Sequence, residues 1–545
     1  MSKSILIFSD GTGQSGGITF DEDRSNIYKL YRSTRCGPDS AIDPKDQVTF
    51  YDAGLGSPGA GSFIKFRLWR QVYNKASAMT GLGITRNIID CYAAIIRLYR
   101  PGDRIFLFGF SRGAYTVRSL AAVIGKCGIP RQMVDGSPVP LDAKGSHDLA
   151  ADAVRNVYQF CQSLPRDSNK PYRDFLLDTR ERIASRFRYE HKSYNPEDET
   201  KCDPANADAF DPKNPGRANE YPYFIGVFDT VAAIGRPAAV LLLVLAAVAS
   251  IIVFSYLASA LSKFDDVPHM GWLRVFTFEN LAAAFFGLAG VKTLHSLWKH
   301  YVRFDFGVPG YGLWKSLLTI HFSPPKFHFS EYTLNRHVEY AKHAISIDEN
   351  RKDFKRVPWK PDGAREDDRD PFGNIHFEQV WFAGVHSDVG GGYQETEARL
   401  SDISLKWMLA AASIIPFGIK HDPSVLRIHP DPLGPQHDEF RNGHWQFQLR
   451  DLPRKMDGTR KAVPTHKSVY HRFAGGKVVH FDAEKDYRPV AFKDHPDFAH
   501  YYSVPQGASP TDLHGLAMNI EAVWETQREK AKGTVQHQGA DNAIS

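Results

Sequence analysis

The chain has 545 residues, 42% of them hydrophobic, with a formal net charge of +5. That suffices for one large core or two ordinary ones, and no compact Lys/Arg cluster interleaved with aromatics marks nucleic acid as a partner. Its five cysteines, odd in number and without a C-x-x-C pair, argue against a zinc site or disulfide framework and for synthesis in a reducing compartment.

Met1-Ser2-Lys3 leads directly into an apolar run, Ser4 to Ser9, so no cleavable signal peptide is expected. The run ends in Asp10-Gly11-Thr12. A second, Val48 to Tyr51, ends in Asp52-Ala53-Gly54, and a helical pattern covers Ile84 to Tyr99. Arg104 to Phe108 is short and nearly all apolar, suited to a central parallel strand. Gly109-Phe110-Ser111-Arg112-Gly113 follows, and Ala114 to Ile124 then carries an apolar face at helical spacing. Strand, sharp turn and helix form the context that a Gly-x-Ser-x-Gly nucleophile elbow requires. A second match, Gly13-Gln14-Ser15-Gly16-Gly17, runs into Ile18-Thr19-Phe20-Asp21-Glu22-Asp23, which has no such face. Ser111 is therefore the expected nucleophile, against the plainer alternative of a tight strand-to-helix turn.

Further along, Asp148 to Cys161 reads as a helix, and the charged stretch Ser193 to Glu220 as a long loop suited to a lid or partner contact. Tyr223 to Phe228 is another strand-like run, ending in Asp229-Thr230. From Pro237 to Leu261 there is no charged residue, a length sufficient to cross a hydrocarbon core of roughly 30 Å. Trp272 to Val291 is a weaker second candidate, interrupted by Arg274, Glu279 and Asn280. Lys355 to Gly373 reads as a surface loop. Val380 to Val385 is the last strand-like run, opening onto His386-Ser387-Asp388-Val389-Gly390-Gly391-Gly392-Tyr393, and Ser404 to Ala412 reads as a helix. The polar tail from Gln527 is expected to be disordered.

Strands alternating with helices imply an α/β fold with a mostly parallel sheet flanked by helices, and ligands in such sheets gather at the carboxyl ends of the strands. A serine nucleophile needs a base oriented by a third group, and with this elbow the chain order is serine, acid, histidine. His386, directly after a strand-like run, is the expected base. Asp229 is the expected orienting acid, its plain alternative being a helix N-cap; Asp388 is the reserve candidate for that role, although a residue only two beyond the base fits a brace for the turn better. The oxyanion donors expected are the backbone N–H of Arg112 and the loop Gly11-Thr12-Gly13. Gly11 to Gly16 also matches G-x-G-x-x-G, but no helix opens at its third glycine and no P-loop lysine is present. Phe8 stands where an aspartyl-phosphate phosphatase places its nucleophile.

Phe8-Ser9-Asp10-Gly11-Thr12, Gly109 to Tyr115, Gly226 to Val231, and Gly384 to Tyr393 resemble the signature blocks of one α/β-hydrolase family, that of the first class of type VI secretion lipase effectors. His343 to Arg351 and Leu400 to Met408 extend the resemblance, which spans Ser4 to Met408. It implies phospholipase-type ester hydrolysis with Ser111, Asp229 and His386 as triad. No cofactor or metal is called for.

The resulting domain scheme is a hydrolase core in two parts, 1–235 and 306–415. An apolar membrane insertion, helix or hairpin, fills 236–305, a C-terminal extension 416–526 packs on the core, and a tail covers 527–545. Ser111 and Asp229 precede the insertion and His386 follows it, so the chain must cross an even number of times or only dip in. Arg236 before it and Lys292, Lys299 and Arg303 after it put the hydrolase domain on the cytoplasmic side, or on a target-cell membrane if a secretion machine delivers it. The expected activity is phospholipase A-like cleavage of membrane lipid esters. Expected partners are phospholipid and bilayer and, for an effector, secretion machinery or an immunity protein. The alternatives are a membrane-anchored esterase or thioesterase with a soluble substrate, and a non-catalytic membrane-binding adaptor.

Overall fold

Why three of the strands are almost wholly apolar is explained by what covers them. The structure is a computed structural model. It describes residues 2–11, 23–54, 83–160, 170–231 (without 204 and 207), 302–303, 314, 321–322 and 332–502, the last with gaps at 352–353, 362–367, 440–453, 455–463, 494 and 496–497. Six parallel strands form the central sheet: β1 (Ser4–Ser9), β3 (Gln47–Asp52), β4 (Arg104–Phe110), β5 (Phe224–Phe228), β6 (Tyr340–Ser346) and β7 (Phe377–Phe382), in the order β3-β1-β4-β5-β6-β7. Alternate residues point to opposite faces. Ile5, Ile7, Ile105, Leu107, Ile225 and Val227 pack under α2 (Ile84–Leu98) and α3 (Arg112–Cys127). Leu6, Phe8, Phe106, Phe108, Phe224 and Phe228 pack under α1 (Asn26–Thr34) and α7 (Arg399–Ile414). A sheet buried on both faces needs continuous hydrophobic strands, which is how β1, β4 and β5 read.

The carboxyl ends of β1, β3, β4 and β5 lie side by side, because Ser9 pairs with both Asp52 and Gly109, and Phe110 with Phe228. A short antiparallel pair, β2 (Arg24–Ser25) with β8 (Gly391–Tyr393), ties the entrance of α1 to the glycine-rich turn after His386. Beyond β7, α8 (Lys467–Ala474) and residues to Tyr502 pack against Ile345, Trp381 and Ala383 in a third apolar cluster.

The structure departs from the sequence reading at several places. Strand β6 was not expected, because Lys342 and His343 interrupt its apolar character; inside the fold Lys342 donates to Glu378 at 2.9 Å and to the Ile375 carbonyl at 2.8 Å. The strand read as Val380 to Val385 is Phe377–Phe382: at Gly384 the backbone turns to φ +105°, a conformation no strand continues. The helix read over Asp148 to Cys161 is α4 (Ala143–Asp152) followed by a π-helical turn, Ala153–Tyr158. The stretch Ser193 to Glu220 is no lid over Ser111. Ser193 Oγ donates to the carbonyl of Cys127, and Asn219 bonds Ile129, so it packs at the far end of the 16-residue helix that Ser111 opens, roughly 24 Å away. Among the described residues no helix is long and apolar enough to cross a membrane. The insertion expected over 236–305 lies outside the described residues apart from 302–303, and the tail from Gln527 lies outside them altogether.

Candidate active site

Ser111 sits between β4 and α3 with φ +57° and ψ −118°, a strained conformation for a residue with a Cβ. The surroundings force it. A Cβ on Gly113 would stand 2.0 Å from the Ser9 carbonyl oxygen, and one on Gly109 2.5 Å from that of Gly113. The turn is therefore pressed against the end of β1, and only glycines fit on either side of the serine. The Ser111 N–H donates to the Phe228 carbonyl at 3.1 Å, which fixes the turn against β5. Arg112 is the first residue of α3, so its backbone N–H lies at the positive end of a helix.

Asp229 ends β5, completely buried and with φ +37°. His386 opens the short helix α6 (His386–Gly390) beyond β7. The two meet: His386 Nδ1 lies 2.5 Å from Asp229 Oδ2. An ionised carboxylate only accepts, so Nδ1 carries the proton and Nε2 keeps its lone pair. Nε2 is buried and makes no hydrogen bond. The imidazole is held flat against Phe110, the residue before Ser111, at 4.6 Å between ring centroids, and edge-on to Phe354 at 4.9 Å. Its backbone N–H donates to Glu349 Oε2 at 3.2 Å, and Glu349 is in turn clasped by Arg351, whose Nε donates to Oε1 at 2.7 Å. Asp229 and His386 thus meet at the carboxyl edge of the sheet, with the Ser111 turn alongside through Phe110.

One contributor was invisible in the sequence. Arg454, from the C-terminal extension, donates through both terminal nitrogens to Asp229, to Oδ1 at 2.5 Å and Oδ2 at 3.0 Å. It also donates to Ser346 Oγ at 2.9 Å and to the Phe354 carbonyl at 2.8 Å. Asp229 Oδ1 accepts further from the Ser346 N–H at 3.1 Å. Burial by itself would raise the Asp229 pKa, but the Arg454 charge and the His386 hydrogen bond outweigh it and hold the group well below the usual carboxylate range. For His386, burial pushes the pKa below its ordinary 6.5, and the bond to Asp229 partly restores it. Nothing in the local sequence around Arg454 distinguishes it from any surface arginine.

The remaining polar groups brace this frame. Asp388 Oδ2 accepts from the N–H groups of Val385 at 3.0 Å and His437 at 3.1 Å, and Oδ1 lies 2.7 Å from His437 Nδ1. It holds the glycine-rich turn and does not touch His386 by any of these bonds. His343 Nε2 accepts from the Thr230 N–H at 3.3 Å; burial first, with Arg118 and Arg356, pushes its pKa to about 3, so it is a neutral prop for the Asp229 turn. Asp10 is buried, accepting from Ser25 Oγ at 2.5 Å, Tyr51 Oη at 2.7 Å and the Gly11 N–H at 2.7 Å. Burial raises its pKa to about 6. These bonds occupy the Gly11 amide that the sequence reading assigned to an oxyanion, because the preceding carboxylate folds back onto it. Thr12 lies outside the described residues. No group of three or more His, Cys, Asp or Glu side chains suited to a metal occurs among the described residues.

The family model described as T6SS, Phospholipase effector Tle1-like, catalytic domain matches residues 3–263 and 301–411. The matched span contains the elbow, Asp229, His386 and the first apolar segment, while the whole of the second apolar segment falls in the interruption. An uncharacterized Saccharomyces cerevisiae protein is 23% identical over 454 residues, covering 78% of this chain and 58% of its own length. Two solved structures are more distant. An uncharacterized protein from Pseudomonas aeruginosa is 17% identical with a TM-score of 0.28, over 79% of this chain and 48% of that one. The Tle1 effector bound to the VgrG spike of the type VI secretion system is 14% identical with a TM-score of 0.25, over 73% of this chain and 52% of that one. The chain therefore spans about half to three-fifths of the length of these relatives. Matched over about two thirds of its length, this chain belongs to the family of Tle1-like phospholipase effector catalytic domains.

Proposed function

We propose that this protein is a serine hydrolase that cleaves carboxylic ester bonds of membrane phospholipids through an acyl-enzyme. The observation that carries the reading is a buried imidazole bound to Asp229 through Nδ1, with Nε2 unbonded, stacked on the residue that precedes a strained Gly-x-Ser-x-Gly serine. His386 Nε2 takes the proton from Ser111 Oγ as that oxygen attacks the acyl carbonyl carbon. The Arg112 N–H stabilises the oxyanion, and the second donor comes from the Gly11-Thr12-Gly13 loop, in which the Gly11 amide is already bonded to Asp10. The imidazolium then protonates the leaving alcohol. A water molecule, deprotonated by His386, releases the fatty acid and restores Ser111. Asp229 stays ionised throughout, steadying the imidazolium, and Arg454 keeps that carboxylate in place.

Membership of a phospholipase effector family supports a lipid substrate. The apolar segment Pro237 to Leu261 begins a few residues after Asp229 and would hold the site at the bilayer surface, raising the effective concentration of ester. Because the Tle1 effector has been seen bound to a VgrG spike, delivery by secretion machinery to a target cell is part of this reading, with the hydrolase domain reaching the membrane there. The test is covalent and kinetic. A fluorophosphonate should label Ser111 in the intact protein and not in Ser111→Ala, and a panel of phospholipids and short-chain esters should show turnover that the substitution abolishes. Label on Ser15 instead, or turnover that survives Ser111→Ala, would overturn the assignment.

A further inference from the structure

A cavity of about 400 Å³ opens between α1, the start of α7 and the loop that follows α7. Five of its lining residues are permanent cations, Arg24, Lys29, Arg32, Arg399 and Arg427, against the carboxylate of Glu395. Two of the cations are satisfied within the protein: Lys29 Nζ lies 3.1 Å from Glu395 and 3.0 Å from buried Asp402, and Arg24 3.7 Å from Glu395. Arg32, Arg399 and Arg427 form no ion pair among the described residues. Arg32 Nε and Arg399 Nη1 are shielded from water yet make no hydrogen bond. Three guanidinium groups around one cavity, none of them held by a carboxylate among the described residues, favour an anion within it. A phosphate ester suits this geometry better than a carboxylate. Its tetrahedral array of oxygens can accept from several guanidinium forks at once, and the cavity is of ligand size.

The cavity wall is bonded to the candidate active site. Ser25, beside Arg24, donates to Asp10, whose other oxygen holds the Gly11 amide. Strand β2 pairs with β8, which starts where the helix of His386 ends. We propose that this basic cavity binds the phosphate ester group of an anionic ligand, the head group of an anionic phospholipid. That the phosphate arrives on a lipid rests on the ester-hydrolase reading; phosphate binding by the cavity does not.

The test uses the full chain carrying Ser111→Ala, so that no ester is consumed. Calorimetry would follow binding of inorganic phosphate, sn-glycerol 3-phosphate and monomeric dihexanoyl phosphatidylglycerol, the last two differing only in acyl and head-group attachments. The double substitution Arg32→Gln/Arg399→Gln should weaken all three, with glycerol phosphate affinity falling roughly hundredfold, about tenfold for each charge-assisted hydrogen bond removed. Glu395→Gln should tighten binding severalfold, a gain that misfolding cannot produce. Equal affinities across these variants, or no binding of any probe by the parent chain, would overturn the proposal. Loss of phosphate and glycerol phosphate with unchanged phosphatidylglycerol binding would keep the phosphate site and reject the lipid source. Ester turnover measured separately on the unsubstituted chain distinguishes the two readings. Phosphate binding without turnover sinks the hydrolase reading alone, and turnover with phosphate affinity indifferent to the cavity variants sinks the cavity alone.

Discussion

Replacing Arg454 by alanine strips a fully buried carboxylate of the cation that, among the described residues, pairs with it alongside the imidazole. Arg454 and Asp229 are both shielded, with side-chain exposures of 7% and 0%, and the pair is bidentate. Breaking a buried ion pair from one side leaves an uncompensated charge and typically costs about 3–5 kcal/mol. Arg454→Ala should therefore lower the urea unfolding free energy at pH 7 by about that amount. The sign of its pH dependence follows from the carboxylate. In the native protein Asp229 is held below its unfolded value, so its contribution is present above that unfolded pKa, roughly 3.9, and is lost only as pH falls through the lower folded value. Without Arg454, burial wins and the folded pKa rises above the unfolded one. Acid then neutralises the stranded group, so the difference between the two proteins should shrink from pH 7 to pH 4. In an Asp229→Asn background the arginine substitution should cost much less, because the charge it answered has gone, giving a coupling of about 2–3 kcal/mol in the double-mutant cycle. Additive losses, or a difference that widens towards pH 4, would refute the role given to Arg454.

Ser111→Ala and His386→Ala should each lower kcat for a short-chain ester by about a thousandfold or more, and the pair together by little more than either alone. The acid limb of kcat/KM should fall below pH 6.5, since the base must be neutral and burial lowers the His386 pKa; a limb above pH 7 would contradict this. Gly113→Ala, which would place a methyl 2.0 Å from the Ser9 carbonyl oxygen, should abolish soluble expression or turnover, and a fully active variant would disprove the tight elbow. Replacing Arg236 to Lys292 by a short flexible linker should spare turnover of a soluble ester and depress turnover of bilayer phospholipid, measured side by side; equal losses on both would remove the anchoring role.

What could be read from the chain beforehand follows from where the physical signals are local. The strands β1, β4 and β5 are legible because burial on both faces leaves unbroken apolar runs, and the elbow is legible because its glycines are demanded by a neighbouring backbone. His386 and Asp229 could be picked out because each stands directly beyond such a run. Strand β6 hid behind Lys342 and His343, whose polarity is answered by Glu378, Gln379 and the Thr230 amide, groups far away in sequence. The occupation of the Gly11 amide depends on one aspartate rotamer, which no pattern encodes. Arg454 reaches Asp229 across 225 residues of chain, so its function is a matter of tertiary geometry alone.

Whether Ser111 cleaves lipid esters is decided by fatty acid release from defined phospholipids, measured for wild type and Ser111→Ala at equal folded concentration. Steady release by the wild type is expected, with an acyl adduct on Ser111 when turnover is quenched early and release by the variant at least about a thousandfold slower. Equal release by the two proteins, or none from any phospholipid while short-chain esters are cleaved, would contradict it.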